Sequence, residues 1–110
     1  MLNQLVLVGR LVKKPELKEA GNSKKYSFIT LAVPRSFKNA NGEYDTDFIE
    51  CSLWDNVAVS AVDYCNKGDI IGVKGRLQTR VIEKENSKKY VLEVIAEKVT
   101  FLSSNKKEAD

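Results

Sequence analysis

Apolar and polar residues alternate one for one through most of this chain, and turn residues cut the alternation into short runs. In SFITLAV (27–33), Ile29, Leu31 and Val33 share one side while Phe28, Thr30 and Ala32 share the other. In DFIECSLWD (47–55), Ile49, Cys51 and Leu53 point one way, and Phe48, Glu50, Ser52 and Trp54 the other. IIGVKGRLQTR (70–80) sets Ile71, Val73, Gly75, Leu77 and Thr79 against Lys74, Arg76, Gln78 and Arg80. YVLEVIAEKVTFL (90–102) alternates as well. A period of two is the repeat of a half-buried strand, so the chain reads as all-β. The opening LVLVGRLV (5–12) is apolar on both sides, which suits a central or interface strand.

One segment breaks the pattern. In NVAVSAVDYCNKG (56–68), Val57, Ala61 and Cys65 recur four apart, Val62 follows Ala58 at the same spacing, and Gly68 stands beyond as a terminator, which predicts one short helix. Three strands, a helix and two strands is the order of a five-stranded Greek-key barrel, the OB-fold, with its helix between strands three and four. Gly9 and Gly75 lie inside strands, where barrel closure calls for bends or bulges. KNANGEYDT (38–46) and VIEKENSKK (81–89) are long enough to be mobile loops, and GNSKK (21–25) reads as a strand connection. The expected organisation is one domain over 1–103 and a polar, frayed tail over 104–110.

The 110 residues, 43% of them hydrophobic, suffice for one core. With no histidine, His-assisted nucleophiles and His metal sites are excluded. Cys51 and Cys65 fall outside any C-x-x-C spacing and read as small buried thiols. Asp45 and Asp47 read as solvated turn acids rather than a metal site, and Lys74-Gly75 fits no phosphate loop. The expectation is a non-enzyme without cofactor or metal. The apolar opening is too short to span a bilayer and lacks a signal peptide's basic start, so no membrane partner is expected and the cytoplasm is the default location.

What remains to be explained is VPRSFKNANGEYDTDF (33–48), where Phe37, Tyr44 and Phe48 sit among charges, Asn and Gly. Exposed rings beside cations meet the two requirements of an unpaired nucleic-acid strand, a surface for base stacking and a track for phosphates. Phe37, Phe48 and Trp54 are the candidate rings, and Arg35, Lys38, Lys74, Arg76 and Arg80 the candidate cations. Each has a plainer alternative. Trp54 can close one end of a barrel core, the basic row can simply keep one sheet face soluble, and Tyr44 beside Asn41-Gly42 can pack at a hairpin turn. The formal charge of +3 is too mild to decide.

Taken in order, NQLVLVGRLVKKPEL, FITLAVPRSF, TDFIECSLW, YCNKGDIIGVKGRLQTR and YVLEVIAEKVTFL resemble the DNA-binding domain of bacterial single-stranded DNA-binding proteins over residues 2–102. The resemblance implies an OB-fold, a homotetramer or dimer, and sequence-tolerant wrapping of single-stranded DNA in replication, recombination and repair, close to the nucleoid. By position, Phe37 and Phe48 fall where the family places stacking rings, and Trp54 where it places an aromatic at the third strand's end. Ile82 departs from this, because many relatives carry another ring there; Arg80 and Lys84 are then expected to hold phosphate at that point. Relatives also continue into a polar linker with an acidic tip that recruits replication and repair proteins, whereas this sequence stops at Asp110, so such partners are expected only if that tip is missing here. Two other readings of the same barrel are a primosomal replication accessory acting through protein contacts, and a metal-dependent nuclease.

Overall fold

The structure, a computed structural model, describes residues 1–104. Its elements are β1 (Leu5–Leu11), the two-residue β2 (Lys18–Glu19), β3 (Lys25–Lys38), β4 (Tyr44–Trp54), α1 (Asp55–Tyr64), β5 (Ile70–Lys84) and β6 (Ser87–Ser103). Apart from β2, which pairs only with the start of β3, five strands close on themselves. β1 pairs antiparallel with β5 along Leu5–Arg10 and with β3 at Arg10 and Leu11. β3 continues to β4, β4 meets β6 in a short parallel contact, and β6 returns to β5. This is the OB-fold barrel, with its one helix between the third and fourth long strands.

The inward rows fill it. Ile29 and Leu31, Cys51 and Leu53, Ile71 and Val73, with Leu11, Val94 and Ala96, form one buried cluster. α1 closes an end by setting Ala58 and Ala61, with Cys65 at its C-cap, into that cluster; of the residues read at four-residue spacing, Ala61 and Cys65 are buried and Val57 packs against the cluster half-buried. The helix's C-terminal carbonyls, which lack partners within the helix, are met from outside: Lys14 Nζ donates to the Val62 oxygen at 2.9 Å and the Cys65 oxygen at 2.8 Å.

Gly9 and Gly75 mark close approaches. A Cβ on Gly9 would lie 2.8 Å from the Ala32 carbonyl oxygen, and one on Gly75 would collide with the Ile95 carbonyl. At Gly75 the β5–β6 register also slips, from Lys74↔Lys98 to Gly75↔Ala96, leaving Glu97 as an extra residue on β6. The inward row of β6 therefore changes parity, from Val94 and Ala96 to Val99, so simple alternation through 90–102 does not hold.

The two expected long loops are short hairpin ends. β3 runs to Lys38 and pairs with Tyr44, leaving a turn over 39–43 in which Asn39 Oδ1 accepts from the Asn41 and Glu43 backbone N–H groups. β5 and β6 pair as far as Lys84↔Ser87 across Glu85-Asn86, with Asn86 taking the left-handed φ of 66°. Because these arms outrun the barrel, Leu77 and Thr79, expected on the core side, are exposed. Residues 105–110, most of the expected tail, lie outside the described residues.

Candidate nucleic-acid interface

Phe48 and Trp54 lie six residues apart on β4, an even number, and so share its outward face. Phe48 is 68% exposed and Trp54 37%. Register extends this face over four strands: Phe28 lies opposite Ser52, Ser52 beside Ile95, and Ile95 opposite Arg76. Arg76 brings with it Lys74, Gln78, Arg80, Ile82 and Lys84, alternate residues of β5. The predicted ring row and the predicted basic row are thus two sides of one curved surface. Trp54 is absent from the core cluster, so it does not serve as a barrel plug.

Phe37, 66% exposed, stands on the β3–β4 arm where the register slips between Pro34 and Lys38. Near it, Lys38 Nζ lies 5.9 Å from the centre of the Tyr44 ring, a cation–π approach at the hairpin end. Ile82 is half-buried opposite Lys89 and presents no ring.

The cations are not equivalent. Arg35 is held by Asp47, with Nε 3.1 Å and Nη2 3.0 Å from its oxygens, and its Nη1 lies 3.7 Å from Asp45. That hydrogen bonding holds the Asp47 carboxyl below the usual carboxylate range. Arg76 is 3.6 Å from Glu97 and donates to Gln78 at 2.6 Å, and Arg80 is 3.6 Å from Glu93. Lys74, by contrast, faces Lys98 across the β5–β6 ladder, and neither lysine has an ion-pair partner among the described residues. Like charges placed opposite each other destabilise a sheet, and an anion between them removes the cost.

Three residues of this surface were not singled out in the sequence. Lys98 appears only once the β6 bulge places it against Lys74. Tyr26 and Phe28 sit on the outward row of β3, and the Tyr26 ring centre is 5.3 Å from that of Trp54 and 5.5 Å from that of Phe28. The alternation in 27–33 already put Phe28 opposite the core side, so its exposure was the available signal.

Among the described residues no group of three His, Cys, Asp or Glu is disposed to hold a metal, and no helix is long and apolar enough to cross a membrane. The Asp45 and Asp47 carboxylates are engaged by Arg35 and Asn39.

The profile of the single-strand binding protein family matches residues 2–102. Among curated proteins, the chain is 45% identical to single-stranded DNA-binding protein B of Bacillus subtilis, over 98% of this chain and 96% of that one. It is 45% identical to single-stranded DNA-binding protein 1 of Lactococcus lactis, over 96% of this chain and 71% of that protein. With the single-stranded DNA-binding protein of Bacillus cereus it shares 47% identity over 93% of its length, and spans 61% of that relative. Among solved structures, a deletion mutant of the single-stranded DNA binding protein from Thermus aquaticus superposes with a TM-score of 0.79 at 28% identity, over 94% of this chain and 52% of that one.

Proposed function

The chain belongs to the single-strand binding protein family, and from that premise we propose that it coats single-stranded DNA with little regard to sequence, shielding it during replication, recombination and repair. It acts by binding and not by catalysis. The observation that carries this reading is the shared face: Phe48 and Trp54 stand open on β4, and the same surface continues across Ile95 to Arg76 and Lys74. Bases stack on the rings, each worth about 1–3 kcal/mol, and the lysines and arginines neutralise phosphate. Phe37 and Lys38 extend the contact onto the β3–β4 arm, and Arg80 and Lys84 take phosphate past Ile82, where no ring is offered. Arg35 joins the track by exchanging Asp47 for a phosphate oxygen.

Residues 1–103 form the binding domain, and the protein works in the cytoplasm at the nucleoid as a homotetramer or dimer. The self-association is supported by β1. Among the described residues its Leu5–Val8 stretch is paired on one edge only, to β5, while Val6 and Val8 are exposed. An open apolar edge is a site for pairing with a second copy. Replication and repair proteins are partners only of a chain that carries an acidic tip beyond the residues seen here.

Titration with oligo(dT), following emission of the lone Trp54 at moderate salt, tests the reading. Quenching with a mobility shift is the expected result; an unchanged signal and no shift overturns it in favour of a protein-contacting accessory. Degradation of labelled strands with magnesium or calcium would instead mark a nuclease. Light scattering with Val6→Lys and Val8→Lys tests assembly, and the expected outcome is a lower mass than that of the parent.

A further inference from the structure

Tyr26, Phe28 and Trp54 make a contiguous three-ring cluster on the outside of the barrel. None of the three belongs to the buried core, and Phe28 and Trp54 each leave more than a third of their surface open. Rings grouped on a solvent-facing sheet keep apolar area in water, which favours a ligand that covers them. Tyr26 is half-buried between the other two, directly across the ladder from Trp54, with the two ring planes tilted by 33°.

We infer that Phe28 is a base-stacking ring and that Tyr26 positions Trp54, so that the β3 side of this face carries a stacking station separate from the one at Phe48. The inference rests on the single-strand reading above and deepens it. Phe48 lies opposite the small Ala32; next along come Glu50 and Thr30, opposite each other, and only then Phe28 opposite Ser52. The carboxylate of Glu50 repels phosphate from the middle of the face. Nucleobases therefore occupy the β3–β4 side, and the sugar-phosphate chain runs toward β5, where Phe28's own cross-strand row ends in Arg76. Tyr26 keeps Trp54 from rotating onto the sheet and leaves one indole face available.

The test compares Phe28→Leu with Phe28→Tyr, and Tyr26→Leu with Tyr26→Phe, in oligo(dT) titrations over a range of salt, with thermal melts to confirm folding. Phe28→Leu is expected to weaken binding about 5- to 100-fold with the salt slope unchanged, and Phe28→Tyr to restore it. Tyr26→Leu is expected to shift Trp54 emission and raise acrylamide quenching in the free protein and to weaken binding, while Tyr26→Phe does neither. A second measurement needs no variant: photocrosslinking of the parent protein to bromouracil-substituted oligo(dT) is expected to give adducts at Phe28 or Trp54. If Phe28→Leu binds like the parent while Phe48→Leu is weakened, or if adducts avoid the cluster, the second station is wrong and the single-strand reading survives. If the parent itself ignores oligo(dT), the single-strand reading fails and takes the station with it.

Discussion

Asp47 and Phe48 are neighbours on β4 that face opposite ways: the carboxylate grips Arg35 at 3.0–3.1 Å, and the ring lies open on the other side. The Arg35 guanidinium is therefore drawn away from the ring face that it adjoins in sequence. A phosphate must compete with Asp47 for it.

Asp47→Asn removes the competitor. Affinity for oligo(dT) at low salt is expected to rise, and the slope of log K against log salt to steepen by about 0.7–0.9, the increment for one further phosphate contact. The Asp47 carboxyl is depressed in the folded protein, so the ion pair is intact above the usual carboxylate range and is lost only as pH falls through the lowered value. Carboxyl NMR titration should show Asp47 ionised down to pH values where other aspartates have protonated, and between about pH 5 and 8 the pair's contribution should be complete and independent of pH. An unchanged salt slope would show that Arg35 never reaches the DNA.

Lys98→Glu separates folding from binding. It turns the Lys74↔Lys98 repulsion into an attraction, worth about 0.2–1 kcal/mol to the sheet, while replacing one positive charge of the track by a negative one. The melting temperature should rise slightly as oligo(dT) affinity falls. A variant that loses both, or neither, contradicts the placement of these lysines.

Phe48→Leu takes away a ring that nothing in the core depends on. Binding should weaken by about 1–3 kcal/mol with the salt slope and melting temperature unchanged. Leu31→Ala gives the contrasting result, a loss of about 2–5 kcal/mol of stability, because Leu31 is fully buried and leaves a cavity.

Gly75→Ala pushes a methyl group into the Ile95 carbonyl at the β5–β6 register slip. The backbone must shift to admit it, so denaturant unfolding should show a loss at or above the upper end of the overpacking range, about 3 kcal/mol.

Cys51 is sealed in the core, where burial pushes its thiol up to about 11. It should resist alkylation at pH 8 in the folded protein and react once unfolded. The sign follows from the raised value: stability tied to the neutral thiol is complete below about pH 9 and is lost as pH climbs toward 11, by about 2–3 kcal/mol. Cys51→Ala should flatten that alkaline decline.

The barrel was legible because alternation reports burial directly: Ile29, Leu31, Cys51, Leu53, Ile71 and Val73 all lie inward as read. The helix was legible for the same reason at a different period. What alternation cannot report is an extra residue in a ladder, so the bulge at Glu97 hid both the inward turn of Val99 and the pairing of Lys98. Nor does polarity separate a loop from a hairpin arm. KNANGEYDT and VIEKENSKK are polar because both sides of those strands meet water, while Asn39 and Asn86 supply the turns. Phe37, Phe48 and Trp54 could be named from the order of residues, but the partner of Arg35 and the neighbours of Trp54 depend on which strands lie side by side.

The β5–β6 arm is paired without interruption from Gly75↔Ala96 to its two-residue tip. Such a ribbon behaves mechanically as a lever and not as a tether. A load applied at Glu85-Asn86 is transmitted as torque to the root, where Gly75 lies against Ile95 and the ladder has already slipped by one residue. The pivot of the arm is therefore at the edge of the barrel, and stiffening or loosening that joint would change how far Arg80 and Lys84 swing with the arm while leaving Phe48 and Trp54 on β4 in place.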